Sequence, residues 1–206
     1  MGLFARSSTE KRSETMRVVS GSARGITLEA PKGMTTRPTS DKAKEGVFSA
    51  IQCNLAGARV LDIFAGSGGM GIEALSRGAA SCVFVDLDLS ALRCIKNNLA
   101  KTKLTGRAVR ADAIAFLNAC SERFDVIFSD PPYNKGWTAK LLPLAARLLD
   151  EGGVLLCETD SAEPRPEPVE GLALRKTYTY GRAVVTLFDR INEKGADADE
   201  DSGISG

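Results

Sequence analysis

Asp130-Pro131-Pro132-Tyr133 is the stretch of this chain most able to do chemistry, because it joins a carboxylate, a stiffened backbone carbonyl and an aromatic face. Proline fixes φ, so the two prolines hold the Asp130 carboxylate and the Pro131 carbonyl in a common direction. Two acceptors converging on one spot suit an amino group with two hydrogens. Accepting both hydrogens localises a lone pair that a nucleobase ring otherwise delocalises, and positioning supplies much of the rest. Tyr133 offers a face on which an unstacked base can lie. In isolation the same four residues could be only a rigid turn with a core tyrosine.

A second cluster lies upstream. Gly66-Ser67-Gly68-Gly69-Met70-Gly71 has the form G-x-G-x-x-G directly after an apolar run, Val60 to Phe64, and opens a helical pattern. Backbone there can approach a ligand closely at a helix N-terminus. Asp86 ends the next apolar run, where a carboxylate can bind both hydroxyls of an adenosine ribose. That pairing serves NAD and S-adenosylmethionine alike. Asp62, at the end of the first run, would repel a pyrophosphate but favours a cationic sulfonium. Asp112, after the third run, either accepts from an adenine amino group or caps the helix that follows, and Asp88 reads as a helix cap. Trp137, at a helix start, either packs or stacks on a nucleotide.

These residues need a frame that brings them to one edge. From Arg59 onward, apolar strands alternate with amphipathic helices: strands at Val60–Phe64, Cys82–Val85, Arg107–Arg110, Asp125–Phe128 and Val154–Cys157, with helices at Gly69–Arg77, Leu89–Ala100, Ala113–Cys120 and Thr138–Leu149. Short apolar strands separated by helices imply an α/β fold with a doubly wound, mostly parallel sheet, whose strand ends share a carboxyl edge. Pro164, Pro166 and Pro168 mark a loop. Leu172–Tyr178 and Ala183–Phe188 around Gly181 then read as an antiparallel hairpin closing the sheet edge. Upstream, Arg17–Ser20 and Ile26–Glu29 suggest an N-terminal β-hairpin, and Thr39, Ser40 and Asp41 can cap a helix reaching about Cys53. The expected organisation is a disordered extension at 1–15, a hairpin-and-helix appendage at 16–53, the main domain at 54–190 and an acidic disordered tail at 191–206.

Composition narrows the chemistry. The 206 residues include no histidine, which excludes imidazole catalysis and His-ligated metal sites. Cys53, Cys82, Cys94, Cys120 and Cys157 are scattered singly, without C-x-x-C spacing, and read mostly as buried reduced thiols. The net charge of +1 is unevenly spread: nine Lys and Arg face five acids between Met1 and Phe48, while the last fifteen residues hold five acids and one Lys194. The first pattern suits a polyanion partner. No apolar run approaches the roughly 20 residues of a membrane span, and no secretory signal opens the chain, so a soluble cytoplasmic protein is expected; a monomer without metal is expected as well.

Taken together, these motifs resemble class I methyltransferases that act on nucleobase amines. The stretch from Met16 to Arg190 resembles the bacterial 16S ribosomal RNA guanine-N2 methyltransferases through Arg17-Val18-Val19-Ser20-Gly21, Arg24-Gly25, Arg37-Pro38-Thr39-Ser40-Asp41, Phe64-Ala65-Gly66-Ser67-Gly68, Glu73-Ala74-Leu75-Ser76-Arg77-Gly78 and Asp130-Pro131-Pro132-Tyr133. The resemblance implies S-adenosylmethionine as cofactor. Gly66 and Gly68 would run under its methionine part, with Asp62, Phe64 and Ala65 beside them. Asp86 with Leu87 would hold the ribose, Asp112 with Ala113 the adenine, and Arg37 and Thr39 would flank the pocket. Asp130, Pro131, Pro132 and Tyr133 would act on the target amine, Asp130 also bordering the cofactor. Arg17 and Arg24 would grip 16S ribosomal RNA in the small subunit or its assembly precursor. Rival readings are an adenine-N6 methyltransferase on DNA or RNA, an NAD-dependent oxidoreductase, and a catalytically silent RNA-binding scaffold.

Overall fold

A computed structural model of the protein describes residues 16–31, 41–133 and 135–191. Arg37, Thr39, the extension 1–15 and nearly all of the acidic tail lie outside the described residues.

Helix α1 (Asp41–Ala50) and a short 3-10 turn (Gln52–Asn54) lead into the alternation β1 (Arg59–Ile63), α2 (Gly69–Ser76), β2 (Ser81–Asp86), α3 (Leu89–Thr102), β3 (Arg107–Arg110), α4 (Ala113–Ala119), β4 (Phe124–Ser129), α5 (Trp137–Leu148) and β5 (Leu149–Asp160). Two further strands, β6 (Leu172–Tyr180) and β7 (Ala183–Arg190), follow. The seven strands form one sheet in the order β3-β2-β1-β4-β5-β7-β6. β1 to β5 are parallel, and β7 runs antiparallel to both β5 and β6. The doubly wound α/β expectation therefore holds. The C-terminal hairpin is inserted with its second strand against β5, so β6 becomes the edge and points the same way as the parallel strands.

Burial on both faces explains the short apolar runs. Along β1, Val60 packs with Phe48, Ile72, Ile95 and Phe128 on one side, while Leu61 and Ile63 pack with Leu117, Leu141 and Phe188 on the other. Period-two alternation sends neighbouring side chains to opposite cores, and in a parallel sheet both cores are apolar. β5 is longer than its apolar run because Leu149 already pairs with Phe124, before a register shift and Gly152 at φ 71°.

The N-terminal hairpin is present in minimal form. It has one antiparallel bridge, Arg17 with Thr27, flanked by the bonds Val18 N–H to Ile26 O and Leu28 N–H to Met16 O. It does not stand apart as an appendage, since Val18, Ala23 and Leu28 are buried in the same core as α1, α2 and β1. The cysteines also depart from expectation. All five are free, but only Cys82 and Cys157 are buried, and Cys53 is exposed.

Candidate active site

Register decides what meets at the carboxyl edge. Ile63 lies beside Val85 on one side and Ser129 on the other, and Ser129 lies beside Cys157. The residues that follow each of these are therefore the glycine loop, Asp86, Asp130 and Glu158, gathered along one crevice. β3 extends it, since Arg110 pairs with Asp86 and is followed by Asp112.

The loop after β1 turns through left-handed backbone at Gly66 (φ 55°) and Gly68 (φ 79°), conformations that favour glycine. Phe64 also sits at φ 60°, with its ring edge-on to Trp137 at 5.7 Å between centroids. Trp137 thus packs against the loop. Gly71 serves close packing: a Cβ there would lie 2.3 Å from Phe84 Cε1 and 2.6 Å from Cys82 Sγ, so only glycine lets α2 sit this near β2.

Several loop amides are already committed within the protein. Gly66 N–H donates to Asp86 Oδ2 at 2.8 Å, Gly68 N–H to Ala65 O at 2.7 Å, and Gly71 N–H to Asp62 Oδ2 at 2.9 Å. A pyrophosphate cradle needs such amides free, so the dinucleotide reading loses its main support. Asp86 Oδ1 accepts from Asp88 N–H at 2.9 Å, so both its oxygens are fixed and keep acceptor capacity to spare. Beyond it Leu87 is exposed, an apolar surface beside the carboxylate. Asp88 caps α3 through Ser90, as expected.

Asp112 caps α4, accepting from Ala115 N–H at 3.0 Å through Oδ1. The cap does not exclude a ligand, because the residue is exposed and its second oxygen has no partner among the described residues.

Three acids sharpen the electrostatics. Asp62 is buried, and its pKa is pushed up to about 7 by burial, against the lowering effect of the Gly71 amide and with some help from Asp86. Asp130 is exposed as a residue, but its carboxyl is crowded by protein. That crowding, then the charges of Glu158 and Asp62, raise its pKa well above the usual carboxylate range. Glu158 is raised as well, by burial. Acids that resist ionisation are relieved by a positive charge between them.

Glu158 had no role in the sequence reading, although the structure ties it to the Asp130 motif: Tyr133 donates its hydroxyl to Glu158 Oε1 at 2.6 Å. The bond fixes the tyrosine ring, and the hydroxyl thereby gains a structural task. A carboxylate directly after an apolar run, one strand on from the motif, was the available signal. Pro131 is buried and Pro132 exposed.

Glu73 was also missed as anything beyond a motif letter. Fully buried on α2, it accepts from Val19 N–H at 2.7 Å and Ser20 N–H at 2.9 Å and pairs with Arg77. Lys44, likewise buried, donates to Arg17 O at 3.0 Å. These groups clamp the N-terminal segment behind the crevice. Of the two candidate RNA-contacting arginines, Arg17 is exposed but paired with Asp41 at 2.7 Å, whereas Arg24 is exposed with no ion pair found among the described residues.

The sheet order and the four strand-end groups define a class I methyltransferase fold. The chain belongs to the family described as conserved hypothetical protein 95, whose profile matches residues 16–189. It is 43% identical over 182 residues to a protein of Bacillus subtilis named as a candidate rRNA methyltransferase, YlbH, spanning 85% of this chain and 99% of that one. It is 30% identical to Ribosomal RNA small subunit methyltransferase D of Escherichia coli, over 89% and 94% of the two chains. Among solved structures, Escherichia coli yhhF, described as a candidate methyltransferase, superposes with a TM-score of 0.75 at 28% identity, covering 85% of this chain and 98% of that one.

Proposed function

We propose that this protein is an S-adenosylmethionine-dependent methyltransferase that modifies the exocyclic N2 of a guanine in 16S ribosomal RNA, within the small subunit or its assembly precursor. The observation that carries the reading is the meeting of Asp130 with Asp86 and the glycine loop along one crevice of a class I sheet. The names of the relatives support an RNA of the small ribosomal subunit as the substrate.

The residues present fit the cofactor. Asp86 offers paired acceptors to a ribose diol, Leu87 an apolar surface and Asp112 a free oxygen to the adenine, with Ala113 beside it. Asp62 brings negative charge to the place a sulfonium would take, and Asp130 borders it on the side of the target amine. Arg37 and Thr39 would flank this pocket. When bound, S-adenosylmethionine supplies an electrophilic methyl group. Asp130 and the Pro131 carbonyl accept the two hydrogens of the target amine, which turns its lone pair outward. Tyr133, held by Glu158, presents its ring to the unstacked base. Asp130, already hydrogen-bonded to that nitrogen, is placed to take the proton that leaves it on methylation. Arg17 and Arg24 would meet the RNA backbone.

The test is transfer of labelled methyl from S-adenosylmethionine to small ribosomal subunits lacking the modification, followed by digestion to nucleosides. Labelled N2-methylguanosine is expected. Label on adenine would replace this reading with the N6-methyltransferase, and an absence of label with salt-sensitive RNA binding would leave a scaffold.

A further inference from the structure

Glu158 is the one carboxylate of the crevice to which the proposed reaction gives only a supporting part. It follows Cys157 within β5, two residues before that strand ends, as Asp130 follows Ser129, the last residue of β4, and Ser129 and Cys157 are in register on parallel neighbours. The two carboxylates therefore stand side by side at the sheet edge. Among the described residues, Tyr133 is the one hydrogen-bond partner of the Glu158 side chain, and it occupies Oε1 alone. The residue is only partly buried. Oε2 is thus an acceptor without a partner among the described residues, on a carboxylate whose orientation the tyrosine hydroxyl has already set.

Guanine and adenine differ where this matters. Next to its N2 amine guanine carries N1–H, a second donor, whereas next to its N6 amine adenine carries a bare N1 lone pair. A carboxylate is an acceptor only, so it welcomes the first edge and repels the second. Two adjacent donors also relieve the repulsion between two neighbouring carboxylates.

We propose that Glu158 is the residue that selects guanine, its free oxygen accepting the N1–H while Asp130 accepts from the neighbouring N2 amine. This inference rests on the guanine-N2 reading above. Tyr133 would then serve twice, stacking on the base and aiming the group that checks its edge.

The decisive comparison uses small subunits reconstituted with RNA carrying either guanine or 2-aminopurine at the target position. 2-Aminopurine keeps the N2 amine but lacks N1–H. Wild-type protein should favour guanine by about tenfold or more in kcat/KM, because a site built to bind a donor rejects the analogue lacking it. Glu158→Gln can turn either an oxygen or an N–H toward N1, so its preference should fall to within about threefold. S-adenosylhomocysteine affinity, measured in parallel, reports that the variant is folded. An unchanged preference, an equal loss on both substrates, or a wild type indifferent to the substitution would each overturn the assignment. Wild-type transfer to guanine is the separate control: its failure would remove the guanine-N2 reading itself.

Discussion

At the scale of single residues the crevice is organised by acids in different environments. Asp86 is tied by two amides and Asp62 by one, while Asp130 has its backbone bonded to Ile63 O and its carboxyl crowded by protein and by neighbouring acids. On the proposed reading Asp130→Ala removes the acceptor of the target amine but not the ribose or adenine contacts. Methyl transfer should fall by at least about a hundredfold, with S-adenosylmethionine affinity by calorimetry changed less than about threefold. Comparable losses in both would place Asp130 on the cofactor instead. Asp62→Asn keeps an acceptor for Gly71 N–H but deletes the charge. Measured above pH 7, where Asp62 is ionised, S-adenosylmethionine binding should weaken about tenfold, roughly 1.4 kcal/mol, whereas S-adenosylhomocysteine, neutral at sulfur, should bind as before. The same variant should change the pH profile of stability. Folded Asp62 keeps its proton to about pH 7, whereas the unfolded group releases it near 3.8. The folded state therefore binds more protons between those values, and this component of stability declines as pH rises across that window. Urea melts from pH 4 to 7 should show a flatter decline for Asp62→Asn; an identical slope would contradict the raised pKa.

At the scale of elements, the N-terminal segment is held by α2 rather than by its own pairing. One β-bridge cannot order a hairpin, but Glu73 accepts two of its amides and Ser76 Oγ donates to Ser20 O at 2.6 Å while accepting from Ala23 N–H at 2.9 Å. Lys44 lies 3.9 Å from Glu73 with both side chains nearly inaccessible. Removing one member of such a buried set strands the others without solvent. Glu73→Ala should cost about 3–5 kcal/mol in urea denaturation and open the segment to trypsin at Arg24. Intact protection at Arg24 with full stability would show that apolar burial of Val18 and Leu28 suffices.

At the scale of the whole molecule, the N-terminal segment shares a core with the domain that carries the crevice, so an RNA gripped by one is placed relative to the other. Arg24 has no ion-pair partner among the described residues, while Arg17 is partly neutralised by Asp41. Arg17→Ala with Arg24→Ala should weaken binding to small subunits and lower the slope of log affinity against log salt by about one. Arg24→Ala alone should account for most of the change, and S-adenosylhomocysteine affinity should not move. Methyl transfer unaffected by the double change would mean that RNA is held elsewhere.

The alternation of strand and helix was legible in the sequence, and so were the groups at four strand ends. Parallel strands between helices are short, apolar and bounded by their own loops, and Gly66, Asp86, Asp112 and Asp130 each sit where such a run stops. These are local signals, read within a few residues. Pairing across the chain was not local. Nothing in Ala183–Arg190 by itself says that β7 slots between β5 and β6. Nor does Glu158 announce a neighbour twenty-eight residues back; register between β4 and β5 puts it beside Asp130, and Tyr133 then binds it. Glu73, four residues before Arg77, looks like an ordinary exposed helix pair, and only folding buries it against backbone amides from another part of the chain. Sequence alone determined which elements form and which motifs end them, because backbone preference and apolar periodicity act over short spans. Tertiary structure alone decided which carboxylates face each other and which are desolvated, because distance and dielectric are properties of the packed molecule.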